Sequence, residues 1–300
     1  MKTLLFIYNQ NAGKGQLKRQ LSPVINRFTQ AGWLVTAYPT QSKGDATRAA
    51  RELGGNFDRL VCAGGDGTLS ETVSGLIDLP HPPVLGYIPA GSTNDCAHNL
   101  HIPPSIAKAA MICAATGEPL PLDIGRINGR PFIYVAAFGA FTEVAYDTPQ
   151  DLKNTFGQLA YIMAGIGQLT NLTPYHLRVE YDDTVIEDDF YYGMVCNTYS
   201  VAGLKGPVLP SDRVVLDDGL FEVVLVRKSI KLTDLTNVLQ SIVRNVPVNT
   251  AAVISFQASR VSITCDKAIP WTADGEYGGT FAVSQIENQR RALTVIHGTK

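Results

Sequence analysis

The feature that most constrains this chain of 300 residues is a regular alternation, over its first third, between short apolar runs and helical spacing. Leu4-Leu5-Phe6-Ile7-Tyr8 is followed by Leu17, Leu21, Val24, Ile25 and Phe28. The run reads as a buried strand, and the positions three and four apart as one face of a helix. The pattern repeats with Leu34 to Tyr38 before a helix at Asp45 to Leu53, and with Arg59 to Ala63 before a helix near Leu69 to Ile77. It ends at Val84 to Ile88. The order βαβαβαβ implies a mostly parallel sheet with helices on both faces, because parallel neighbours need crossover connections. Ligand loops in such sheets gather at the carboxyl ends of the strands. Pro23 interrupts the first helical pattern, so a kink, or a second segment capped by Ser22, is expected there.

A helix at Ile106 to Thr116 is followed at Gly117-Glu118-Pro119 by a change of texture to short β-like runs. The expected division is a first domain over 1–120 and a second over 121–300, with a final strand near 292–297 able to return to the first. Asp123 to Ile127 and Pro131 to Phe138 flank Asn128-Gly129, a dipeptide suited to a type I′ hairpin. Further strands are expected at His176 to Tyr181, Phe190 to Cys196, Leu220 to Val226, Val253 to Phe256 and Val261 to Thr264. Helices are expected at 152–169 and 230–244. The fold class is therefore an α/β N-terminal domain with a parallel sheet, plus a β-rich C-terminal domain, a sandwich or curved antiparallel sheet.

Three turn-rich segments follow three of the parallel strands: Asn9 to Gly15, Gly64-Gly65-Asp66-Gly67-Thr68, and Gly91-Ser92-Thr93-Asn94-Asp95. In a parallel sheet all three face one crevice. Glycine lets backbone approach a phosphate closely, and a following helix start supplies N–H donors. Asp66 and Asp95 could hold a metal that neutralises the same phosphates. Each loop alone is equally a sharp turn in which an aspartate or asparagine caps a helix. It is their coincidence at one edge that favours a phosphate site.

Several alternatives are excluded. The chain has no G-x-x-x-x-G-K-[ST], no G-x-G-x-x-G after its first strand, no H-R-D or D-F-G triplet and no H-E-x-x-H, which sets aside P-loop proteins, Rossmann dehydrogenases, protein kinases and zinc peptidases. With 45% hydrophobic and 17% charged residues it is not disordered, and a net charge of −2 supplies no field for generic nucleic-acid binding. Five scattered cysteines without C-x-x-C spacing fit a reducing compartment and write no zinc site. Thr3 to Tyr8 is too short for a signal-peptide core, and Phe132 to Phe141 is about half a membrane span. A cytoplasmic location without a transmembrane segment is expected.

The chain resembles the soluble diacylglycerol kinase family, specifically its bacterial lipid-kinase branch. The matching segments are the opening N-x-N-A-G-K, Thr40 before Lys43-Gly44-Asp45-Ala46, Gly64 to Thr68, Pro89 to Asp95, Phe138-Gly139-Ala140-Phe141-Thr142, Asp218-Gly219-Leu220 and Asp274-Gly275-Glu276. G-G-D-G-T alone marks a superfamily shared with NAD kinases. The G-S-T-N-D loop and the late D-G-E discriminate. The resemblance implies that Asn9, Asn11, Thr40, Gly64, Gly65, Asp66, Gly67, Thr68 and Ser92 contact ATP. It also implies that Asp66 and Asp95 organise catalytic Mg²⁺ and that Glu276 is the general base, reaching a cleft between the domains. A second, structural Mg²⁺ would sit on Asp218 with the carbonyls of Val215 and Leu220, a segment that alone reads equally as a plain β-turn. Cys96, where many members have a bulky apolar residue, and Ala273, where leucine is frequent, depart from the family pattern without removing a polar group the chemistry needs.

The implied activity is ATP- and Mg²⁺-dependent phosphorylation of a lipid hydroxyl, with diacylglycerol giving phosphatidate at the membrane surface and a homodimer left open. Two other readings are a kinase of a soluble nucleotide acceptor, as in NAD kinases, and a non-catalytic nucleotide or lipid sensor. Asp66 is expected in a solvent-facing loop. The apolar stripe Leu152, Phe156, Leu159, Met163, Ile166 and Leu169 reads either as core or as a lipid-facing surface. The five histidines show no metal-ligand spacing.

Overall fold

The structure, a computed structural model, describes residues 1–92, 94–139, 173–198, 200–201, 204–205, 214–229 and 251–298. The expected helices at 152–169 and 230–244, with the apolar stripe on the first, lie outside the described residues. The chain forms two units, one of Met1–Ile124 with Arg290–Lys300 and one of Gly125–Gln289.

In the first unit the strands are β1 (Lys2–Tyr8), β2 (Trp33–Pro39), β3 (Arg59–Gly64) and β4 (Val84–Pro89), and the helices between them are α1 (Gln16–Gln30), α2 (Asp45–Leu53) and α3 (Asp66–Leu76). All four strands pair in parallel, in the order β2-β1-β3-β4. Leu4, Leu5, Phe6 and Ile7 of β1 are completely buried, each contributing about 1.5–3 kcal/mol of burial. Phe28 of α1 packs edge-on to Phe6 with centroids 5.5 Å apart. After β4 come the short helices α4 (Asp95–Asn99) and α5 (Ile106–Met111), the second running into a wider turn through Thr116.

Pro23 does not split α1, which runs unbroken through fifteen residues. Pro23 and Arg19, whose carbonyl loses its i+4 donor, both lie on the exposed face. Leu17, Val24 and Phe28 hold the opposite face in the core, so the carbonyl without its donor lies on the side open to solvent.

The second unit is antiparallel. β5 (Glu118–Ile127) enters it, and its last residues pair with β6 (Arg130–Phe132) across Asn128 and Gly129. Their φ of 45° and 84° are those of the expected type I′ turn. The single strand expected from Pro131 to Phe138 is broken: β7 begins only at Val135 and runs to Gly139. The break has a cause, since the amides of Ile133, Tyr134 and Val135 all turn to the carboxylate of Asp274.

Next come β8 (Tyr175–Tyr181), β9 (Thr184–Cys196), the two-residue antiparallel pair β10 (Ser200–Val201) and β11 (Leu204–Lys205), β12 (Phe221–Arg227), β13 (Val253–Ala258) and β14 (Arg260–Ala273). The last strand, β15 (Glu276–His297), is 22 residues long, and of its length only 292–297 was expected. Its Arg290–His297 end belongs to the first unit, where Val295 pairs in parallel with Leu85.

β7 and β8 lie end to end between β9 and β14, since Gly139 faces Tyr192 and Tyr175 faces Phe190 on β9, while β14 pairs with both. One face of this sheet forms a single core of Phe132, Phe138, Leu177, Phe190, Phe221, Ile263 and Trp271. Among the described residues no helix is long and apolar enough to cross a membrane.

Candidate functional site

The carboxyl ends of β2, β1, β3 and β4 stand side by side, and each leads into a segment singled out from the sequence. After β1, the amide of Asn9 donates to Ala63 O at 2.9 Å, tying this loop to β3. Asn9 Oδ1 accepts the Asn11 amide at 3.0 Å. After β2, the amide of Thr40 donates to Tyr8 O at 2.9 Å and its hydroxyl to the same oxygen at 3.4 Å. The amide of Ala90, after β4, donates to Gly64 O at 2.8 Å, which joins the third loop to the second.

Glycine makes this convergence possible at the closest approaches. A Cβ on Gly91 would lie 2.6 Å from the Cα of Gly65, and one on Gly13 would lie 2.3 Å from Ala90 O. No side chain can shift to relieve either contact, since both obstacles are backbone. The sequence thus brings three loops into backbone contact, as phosphate cradles require.

Gly65 is the N-cap of α3, and no side chain caps that helix. Asp66 is therefore not the cap of its own helix. Its carboxylate instead faces the start of α4, accepting the amides of Asp95 at 3.2 Å and Cys96 at 3.5 Å. Asp66 is half-buried as the first residue of α3, and not in a solvent-facing loop as expected. Burial pushes its acidity to higher pH, and the amides of Asp95, Cys96 and Asn94 pull the other way. An ionised oxygen pair held here at the start of a helix suits a hard cation with retained waters, such as Mg²⁺, and the uncapped helix start suits phosphate. Among the described residues no group of three or more His, Cys, Asp or Glu gathers as a metal centre. Ser92 is exposed at the loop tip, and Thr93 lies outside the described residues.

Two residues that sequence reasoning left without a role organise the loops. Asn94 adopts the left-handed conformation at φ 55°. Its Oδ1 accepts the Gly91 amide at 2.9 Å and its Nδ2 donates to Gly91 O at 2.8 Å. Beneath it the buried Tyr87 hydroxyl donates towards Gly64 O and Asn94 Oδ1, each 3.2 Å away. Asn94 could have been found, since asparagine is the ordinary residue for a left-handed bend. Tyr87 could not, because within β4 it reads as one more core residue.

The other candidates belong to the second unit. Asp274 and Gly275 form a two-residue turn with φ of 50° and 81° between Ala273 and Glu276. Asp274 is buried, and its carboxylate accepts the amides of Ile133, Tyr134 and Val135 at 2.7, 3.0 and 3.2 Å. The aspartate of D-G-E is thus structural, and it fixes the hairpin that presents the exposed Glu276. Asp218 lies in the turn before β12, with Oδ1 accepting the Leu220 amide at 2.9 Å and Gly219 at φ 91°. Val215, on the same turn, is exposed between the buried Val214 and Leu216. One carboxylate with nearby carbonyls is a donor set that a hard cation accepts.

Residues 3–127 match the family description "Diacylglycerol kinase catalytic domain", and residues 136–297 match "YegS C-terminal NAD kinase beta sandwich-like domain". The chain is 37% identical over 280 residues to the "Diacylglycerol kinase" of Bacillus subtilis (strain 168), covering 93% of this chain and 91% of that one. It is 36% identical over 293 residues to the "Diacylglycerol kinase" of Staphylococcus aureus (strain MRSA252), covering 96% and 90%. A solved structure from Bacillus anthracis str. Sterne, described provisionally as a diacylglycerol kinase, superposes with a TM-score of 0.85 at 26% identity over 99% of this chain and 95% of that one. With both halves matched and relatives of this identity along nearly its whole length, the chain belongs to the diacylglycerol kinase family of lipid phosphotransferases.

Proposed function

We propose that the protein transfers the γ-phosphoryl group of ATP, with Mg²⁺, to the free hydroxyl of diacylglycerol, giving phosphatidate at a membrane surface on the cytoplasmic side. The observation that carries this reading is the meeting of three glycine loops in backbone contact around the half-buried carboxylate of Asp66. ATP would lie against Asn9, Asn11, Thr40, Gly64 to Thr68 and Ser92. Asp66 and Asp95 would hold the catalytic ion, which when bound supplies positive charge to the phosphates. Asp218, with the carbonyls of Val215 and Leu220, would hold a structural ion.

Transfer of this kind needs positioned phosphates, neutralised charge and an oriented hydroxyl, and no covalent enzyme intermediate. The lipid oxygen bonds to the γ-phosphorus as the bond from that phosphorus to the β,γ-bridging oxygen breaks. Glu276 takes the hydroxyl proton, and ADP leaves. In this assignment residues 1–120 bind nucleotide and residues 121–300 supply the base and the lipid surface. A homodimer is compatible with the reading.

An acceptor panel with γ-labelled ATP tests it. Label should enter phosphatidate when diacylglycerol is presented in vesicles or micelles. Label entering NAD instead would establish a soluble-nucleotide kinase, and tight ATP binding without any turnover would establish a sensor.

A further inference from the structure

We infer that Glu71 is a positioning residue of the nucleotide site: from α3 its carboxylate holds the Thr40–Asp45 loop to the helix that begins at Asp66, and so sets nucleotide affinity. The inference rests on the nucleotide reading above. Glu71 Oε1 accepts the amide of Gly44 at 2.8 Å, across 27 residues of sequence. Gly44 is the N-cap of α2 with φ 83°, and no side chain of its own segment caps that helix. Gln41, Ser42, Lys43 and Gly44 are all exposed, so burial does little to hold this loop.

Hydrogen bonds tie it at both ends, beside the turn bond from the Asp45 amide to Ser42 O at 3.2 Å. The Thr40 amide ties its start to Tyr8 of β1, and the Gln41 amide donates to Asp45 Oδ2 at 2.9 Å. The bond from Gly44 to Glu71 ties its far end to the helix of Asp66. Five residues of helix place Glu71 about 7.5 Å along the axis from Asp66.

Below this bond α2 is seated on α3 by independent contacts. The Thr47 hydroxyl donates to Glu71 O at 2.9 Å, and a Cβ on Gly75 would lie 2.3 Å from Thr47 O. The helix pair is therefore packed without the Glu71 carboxylate. What the carboxylate adds is the placement of the loop that starts at Thr40, one of the residues assigned to ATP.

The test uses the full chain with Mg²⁺ and ATP, comparing Glu71→Ala, Glu71→Gln and Thr47→Val by steady-state kinetics, calorimetric ATP binding and thermal melting. Loss of a charge-assisted hydrogen bond should raise both KM and Kd for ATP about tenfold in Glu71→Ala, with kcat within about twofold of wild type. Glu71→Gln should recover most of the affinity, because an amide oxygen still accepts from Gly44. Thr47→Val should lower Tm without moving KM for ATP. Wild-type ATP affinity in Glu71→Ala, with only a lower Tm, would overturn the positioning role. So would Glu71→Gln as weak as Glu71→Ala. Failure of the wild-type protein to bind ATP at all would instead overturn the nucleotide reading, and this inference with it.

Discussion

Gly65 and Gly91 face each other so closely that a Cβ on Gly91 would stand 2.6 Å from the Cα of Gly65. The loops after β3 and β4 can meet only while Gly91 lacks a side chain. Gly91→Ala should separate them at a cost of about 1–3 kcal/mol, typical of overpacking. Calorimetry should show ATP affinity falling together with Tm. An alanine variant with wild-type ATP affinity would mean that the contact of the loops does not shape the nucleotide site.

Asp274 and Glu276, two residues apart in one hairpin, should separate fold from chemistry. Asp274→Asn keeps one accepting oxygen but turns an NH2 towards at least one of the three buried N–H groups, at a cost of about 1–3 kcal/mol. Chemical denaturation measures it. Glu276 is exposed, so Glu276→Gln should leave stability unchanged while lowering kcat about 10²- to 10⁴-fold, the usual worth of a general base. Near-normal kcat would remove Glu276 from the mechanism.

Glu222 on β12 is buried, with Oε1 accepting from Gln257 Nε2 at 3.1 Å and Oε2 without a partner among the described residues. Burial raises its pKa to about 7, making it a weaker acid. A carboxyl raised in the folded state contributes stability while protonated, and that contribution is lost as pH rises through about 7. Glu222→Gln should therefore melt higher than wild type at pH 8, by an amount on the order of 2–3 kcal/mol, with little difference at pH 5. Melting curves of both proteins between pH 5 and 8 provide the check, and parallel curves would contradict it.

The first unit was legible in the sequence because β1, β3 and β4 are buried apolar runs, β2 keeps an apolar run at the sheet edge, and the helices between them bury one mainly apolar face. Pro23 left the continuity of α1 open, since sequence alone does not show that it falls on the exposed face of one continuous helix. Asn128-Gly129 announced its turn through backbone conformation alone. The break at Ile133–Tyr134 was hidden because its cause, Asp274, lies some 140 positions away in sequence. β15 was largely unseen because Gln285, Glu287, Asn288, Gln289, Arg290 and Arg291 lack strand propensity; as far as Glu287, pairing along β14 supplies what local sequence does not. The site shows the same division. Its glycines and aspartates were visible as motifs, whereas Tyr87 and Glu71 act through contacts that only the folded chain makes.

Asp66 carries the central claim, and Asp66→Asn tests it most directly. Burial holds the pKa of this carboxylate above its ordinary value, while the amides of Asp95, Cys96 and Asn94 favour the ionised form. Asp66→Asn keeps one oxygen for these amides and turns an NH2 towards the other, which should cost about 1–3 kcal/mol of stability. It should also deprive the phosphates of their metal-holding group. The measurement is turnover of diacylglycerol vesicles with Mg²⁺ and ATP, alongside the melting temperature of the same preparation at pH 7. The account predicts a loss of turnover of about a thousandfold or more, equivalent to roughly 4 kcal/mol in the barrier, with Tm lowered only modestly. Turnover within about tenfold of wild type, or a loss matched by a collapse in Tm, would contradict it.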